Sequence, residues 1–122
     1  MKDFRGLSVW QKPHAVTLGI YRVTRSFPRE ETYGITSQMR RCSSSVAANI
    51  AEGCGRRGNT EFARFLGMAM GSASELEYFL LLSRDLGYLE CDVYTSLAGE
   101  VGAMRQMLNG LISKICQEHS LY

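Results

Sequence analysis

Several absences narrow this 122-residue sequence before any motif is read. No apolar run approaches the roughly 20 residues that span a bilayer, so no membrane-crossing segment is expected. The opening residues Met1-Lys2-Asp3-Phe4-Arg5 lack the apolar stretch of a secretory signal, and a cytoplasmic location is the expectation. Proline occurs only at Pro13 and Pro28, which leaves room for long uninterrupted helices. The four cysteines, Cys42, Cys54, Cys91 and Cys116, include no C-x-x-C pair, and His14 and His119 stand near opposite ends of the chain. Clustered metal ligands are therefore missing, and neither a metal nor a cofactor is expected. The thiols read as reduced and mostly buried, acting as small apolar groups.

Catalytic patterns are missing too. Neither histidine has a glutamate three residues before it, so the di-iron bundle motif is absent. No Walker loop occurs. Gly53-Cys54-Gly55-Arg56-Arg57-Gly58 matches the letters of the dinucleotide fingerprint G-x-G-x-x-G. That fingerprint works only between a strand and a helix, and here a helix precedes it. No nucleophile or acid–base pair is spaced for work, so no enzyme is expected.

What is present is helical periodicity. The spacing predicts one domain over residues 1–122 with four helices and no strand. The first helix is expected from about Ser8 to Ser26, with Trp10, Pro13, Val16, Ile20, Val23 and Phe27 as its apolar stripe and Ser8 as its N-cap. Pro13 should delay or bend it. The second is expected from about Glu30 to Gly53, with Ile35, Met39, Cys42, Val46, Ile50 and Gly53 on one face. Glu30 and Glu31 suit its N-terminus, and Gly53 suits a stop at positive φ. The third is capped by Asn59 or Thr60 and runs to about Leu86, on the stripe Phe62, Leu66, Ala69, Ala73, Leu76, Leu80 and Ser83. A second stripe, Phe65, Met68, Phe79, Leu82 and Leu86, implies burial on two faces, in a central helix or between copies. The fourth runs from about Asp92 to Glu118 along Val93, Leu97, Val101, Met104, Leu108, Leu111 and Ile115. Gly99, Gly102 and Gly110 weaken it, and tight helix contact is the expected compensation. Short connections favour an up-down-up-down antiparallel four-helix bundle.

Charge is uneven. The net charge is +2, but residues 1–29 carry a balance of +5 while residues 58–90 carry −3. Such asymmetry suits a polyanion-binding face or the packing of copies against each other. The basic residues of the first segment are Lys2, Arg5, Lys12, Arg22, Arg25 and Arg29. The expected nucleic-acid contacts are Arg40, Arg41, Arg56, Arg57 and Arg64, with Lys12 and Arg22 as outer contacts. Arg56 and Arg57 lie in a glycine-flanked loop from which they can reach phosphates. Asn49, Glu52, Ser72 and Glu75 interrupt or flank apolar stripes, and a polar lock between helices is expected of them. Asn49 in particular is expected to be buried and hydrogen-bonded, and Arg40, Arg41, Arg56 or Arg64 to pair with Glu52 or Glu75.

Several segments, taken in order, resemble a known family. They are Leu7-Ser8-Val9-Trp10-Gln11-Lys12, Phe27-Pro28 with Glu31, Tyr33-Gly34, Gln38-Met39-Arg40-Arg41, and Ser45-Val46-Ala47-Ala48-Asn49-Ile50-Ala51-Glu52-Gly53. Glu61-Phe62 with Phe65-Leu66, Gly71-Ser72-Ala73-Ser74-Glu75-Leu76-Glu77 and Leu86-Gly87-Tyr88-Leu89 complete them. The chain resembles the four-helix-bundle family encoded within intervening sequences of bacterial 23S ribosomal RNA genes, to which the accessory variability proteins of diversity-generating retroelements are related. The resemblance implies a bundle that assembles into a ring, a homo-oligomer of five copies. It also implies RNA or DNA as ligand and, in the retroelement branch, a reverse transcriptase as partner. The modest net charge favours the ribosomal branch. Family members often carry proline at the position of Ala47, so the second helix should be straighter here.

Overall fold

A computed structural model of the chain describes residues 3–120. Four helices fill it: α1 (Ser8–Thr24), α2 (Ile35–Cys54), α3 (Gly58–Asp85) and α4 (Cys91–Ser120). Single 3-10 turns at Phe4–Gly6 and Arg29–Glu31 precede α1 and α2, and no strand occurs among the described residues. Each helix packs on its chain neighbours, α4 closes back on α1, and the diagonal pairs do not meet. That is the antiparallel four-helix bundle the periodicity predicts. Pro13 lies inside α1, which runs through it without starting late, and Leu7 rather than Ser8 holds the N-cap position.

The core follows the apolar stripes. Ile20, Met39, Ile50, Leu66, Leu76, Leu80, Met104 and Leu108 are fully buried, and each removes about 1.5–3 kcal/mol worth of apolar surface from water. Ser83 is buried in the same layer and donates its hydroxyl to the Met39 sulfur at 3.3 Å.

Three helix ends differ from the sequence expectation, the first being the start of α3, where Arg57 rather than Asn59 or Thr60 holds the N-cap position. α2 begins at Ile35 rather than Glu30, because the Gly34 backbone (φ −108°, ψ −119°) leaves helical geometry. Glu31 then caps α2 from outside, accepting the Ile35 amide at 3.3 Å. α2 does not stop at Gly53. Gly53 is a buried helical residue, and a Cβ there would lie 2.9 Å from the Phe62 ring and 3.0 Å from Phe65 Cβ. Its role is close approach of α3, not positive φ. The positive φ values belong to Gly58 and Gly87, at the two ends of α3. Gly99, Gly102 and Gly110 have nothing within 4 Å of a Cβ added to them, so the expected tight contact is absent within the chain.

Candidate functional site

Antiparallel packing divides the sequence-predicted basic residues between two ends of the bundle. At about 1.5 Å per residue, the 20 residues of α2 hold its ends about 30 Å apart. Arg22 and Arg40 lie toward the end where α1 stops and α2 starts. Arg56, Arg57 and Arg64 lie at the opposite end, around the turn between α2 and α3.

Most of this set is already engaged. Arg56 pairs with Glu52 at 3.5 Å. Arg64 binds Glu61 through two nitrogens, at 2.9 and 3.2 Å. Both guanidiniums also sit over the Phe65 ring, 5.2 and 4.6 Å from its centroid. The hydrogen bonds to Arg64 hold the Glu61 carboxyl below its ordinary range. Arg41 bridges α2 to Glu75 of α3 and also holds Gln38. Lys12 reaches Glu100 of α4 at 3.9 Å. Only Arg22, Arg40 and Arg57 of the seven lack a carboxylate among the described residues. Lys2 lies outside the described residues.

The four expected lock residues do not act as one group. Asn49 is half-buried rather than buried, and its amide donates within α2 to the Ser45 carbonyl (2.8 Å) and hydroxyl (3.0 Å). Ser72 of α3 donates to the same Ser45 hydroxyl at 3.0 Å, so Ser45 is the joint that sequence reasoning missed. Glu75 ties the helices separately, through Arg41. Glu52 faces solvent and pairs with Arg56 just beyond the end of its own helix, so it has no part in an inter-helix lock. Exposed pairs of this kind contribute about 0–1 kcal/mol each.

Two arginines outside the predicted contact set, Arg25 and Arg29, meet Arg40 at a pocket of about 280 Å³ between the end of α1 and the start of α2. The signal that could have found them is local. Arg22, Arg25, Arg29 and Arg40 have no acidic residue three or four positions away on either side, whereas Arg56 and Arg64 do. Nothing nearby suggests a nucleophile: burial, chiefly, pushes the Cys42 thiol up to about 12. Cys42 and Cys54 are buried but Cys91 and Cys116 are exposed, so only half of the thiols fit the expected burial. Among the described residues, no group of three His, Cys, Asp or Glu side chains is placed to hold a metal ion. Nor is any of these helices long and apolar enough to cross a membrane.

The profile of the 23S rRNA-intervening sequence protein family matches residues 5–110. The chain belongs to that family. A crystal structure of a protein of unknown function from the S23 ribosomal protein family of Bacteroides thetaiotaomicron superposes with a TM-score of 0.77 at 23% identity. The match covers 85% of this chain and 97% of that one, and at such identity it supports the fold alone. No curated protein matches the sequence.

Proposed function

We propose that this intervening-sequence protein is a non-catalytic, self-associating bundle, with five copies as the ring that the family resemblance implies. The observation that carries this reading is the outer face of α3. Gly67, Met68, Gly71, Ser74, Tyr78 and Leu81 follow one another along it, all exposed and none charged. Met68 is 46%, Tyr78 56% and Leu81 37% exposed. A solvent-facing helix ordinarily carries charge there. On neighbouring α4, Gly99, Ala103 and Gly110 are exposed, and the two glycines leave open space where a side chain would be. Knobs on α3 and hollows on α4 of the same chain suit a head-to-tail contact, which closes into a ring when the rotation allows. Light scattering at micromolar concentration should give a multiple of the protomer mass. Met68→Glu with Leu81→Glu should return the monomer with helicity unchanged. A monomeric wild-type protein would refute the reading.

A second function, binding RNA or DNA, is favoured by one observation: five arginines, Arg22, Arg25, Arg29, Arg40 and Arg57, have no carboxylate partner among the described residues. Ring symmetry would multiply them, and phosphate contacts strengthen binding in a salt-dependent way. Retention of RNA at low salt, lost steeply as salt rises, is the expected result. Without retention, the protein is a scaffold acting through protein partners, of which a reverse transcriptase is the one the resemblance names.

A further inference from the structure

We propose that the pocket between α1 and α2 is a binding site for a phosphoryl group, preferring a terminal, doubly charged phosphate to a backbone diester. The proposal does not depend on how copies assemble or on whether a nucleic-acid chain binds elsewhere.

Three arginines, Arg25, Arg29 and Arg40, line the pocket, and no acidic residue does. Arg40 is held in place beforehand. Its Nε donates to the Thr24 hydroxyl at 2.9 Å and a terminal nitrogen to the Tyr21 carbonyl at 3.4 Å. Its plane sits 4.7 Å from the centre of the Tyr21 ring. These contacts use one edge of the guanidinium, and the remaining donors suit an oxyanion. Thr24 is itself anchored, donating to the Ile20 carbonyl at 2.7 Å.

Thr36 is the second, independent sign. It lines the same pocket and is only 7% exposed, yet its hydroxyl has no hydrogen-bond partner among the described residues. A hydroxyl left without a protein partner at the wall of a pocket is free to donate to a bound oxygen. Thr36 also stands in the first turn of α2, the positive end of the helix dipole.

Of the neighbouring negative groups, Glu30 is exposed and does not line the pocket, and the others are occupied. The last carbonyls of α1 accept from the Arg25, Ser26 and Phe27 amides. The Glu31 carboxylate accepts from the Ile35 amide and, at 2.8 Å, from the Tyr88 hydroxyl. Three positive charges and a hydroxyl donor match a dianion with three free oxygens better than a diester with one charge and two.

Isothermal titration with inorganic phosphate, at ionic strength held constant with chloride, tests the site. One phosphate should bind per protomer. Arg29→Ala and Arg25→Ala should each weaken binding about tenfold, since charge-assisted bonds are about twice as strong as neutral ones. Both side chains are exposed, so circular dichroism should confirm an unchanged fold. Thr36→Val should weaken binding several-fold, and Lys114→Ala, an exposed change in the last third of α4, should leave it unchanged. No heat above the chloride control, or equal affinity in Arg29→Ala and wild type, would overturn the proposal. A short RNA with and without a 5′-phosphate, each competed with phosphate, identifies the source. If only the phosphorylated RNA is displaced, the pocket holds a nucleic-acid end. If neither is displaced while phosphate binds, the pocket serves a free phosphate or small phosphomonoester.

Discussion

The two ends of the bundle handle the same chemistry in opposite ways. At the turn between α2 and α3, Arg56 and Arg64 pair with Glu52 and Glu61 and cover the Phe65 ring. Gly53 beneath them lets that ring layer press directly on α2. At the corner between α1 and α2, Arg25, Arg29 and Arg40 surround a pocket with no acid in it. Counting charges along the sequence treats the two alike. Pairing separates them, because a guanidinium in contact with a carboxylate presents little net charge to a ligand. The first end is closed except at Arg57, and the second is left open.

The largest effect should come from disturbing the closed end. In an open helical position, replacing glycine by alanine stabilises by up to about 1 kcal/mol. At Gly53 the gain is reversed, since a new Cβ would meet Phe62 at 2.9 Å and Phe65 at 3.0 Å. Gly53→Val should cost about 1–3 kcal/mol through overpacking. That lowers Tm by several degrees for a domain of this size. Gly110→Ala, where the added Cβ meets nothing, is the control and should hold or raise Tm in the monomer. Equal melting temperatures for wild type and Gly53→Val would mean that the end is not closed as described.

A smaller effect, read in binding rather than stability, separates the arginines. Alanine at both Arg56 and Arg64 should leave the salt slope of RNA binding nearly unchanged, because each already has a carboxylate. Arg57→Ala should lower the slope by about one unit if that residue contacts a phosphate. Arg25→Ala with Arg29→Ala should lower it by about one if both hold a single phosphate in the pocket, and by about two if each contacts its own. A larger loss from Arg56 and Arg64 than from Arg25 and Arg29 would reverse the comparison.

The bundle was legible because a 3.6-residue period needs only local spacing. The stripes of α2, α3 and α4 through Met39, Leu76 and Leu108 fall in the core where the period puts them. The ends were less legible where the deciding contact is remote. The start of α2 depends on a Glu31 side chain reaching forward and on Tyr88, 57 residues away, holding it. Gly53 reads as a helix stop by residue type, and only the rings of α3 show that it is a packing position. The candidate site suffered from the same gap. Whether Arg41 is available depends on Glu75 in another helix, at a separation that periodicity within one helix does not encode. Asn49 could be recognised as a polar residue beside an apolar stripe, but its link to Ser72 runs through Ser45, and no spacing rule names that intermediate.

The smallest expected effect lies at the open end and depends on pH. Tyr88, just after α3, donates its hydroxyl to Glu31, just before α2, and its ring packs 5.4 Å from that of Phe27. The bond requires the phenol proton. Accepting it, the Glu31 carboxylate raises the Tyr88 pKa above the usual tyrosine value, with partial burial as the next cause. The folded protein therefore holds this proton more tightly than the unfolded chain does. The resulting stability is fully present below the ordinary tyrosine value near 10 and is lost as pH rises through the higher folded value. Ionised Tyr88 would also set a phenolate against a carboxylate. Tyr88→Phe removes the bond and its pH dependence together, leaving Glu31 bound to the Ile35 amide. Urea midpoints measured across the alkaline range should fall more steeply for wild type than for Tyr88→Phe, since the remaining tyrosines are common to both proteins. Ultraviolet titration of the folded protein should show one late-ionising phenol that the variant lacks. Parallel curves in both measurements would mean that the Glu31–Tyr88 contact does not tie the two corners at the open end together, and the cap on α2 would then rest on Glu31 alone.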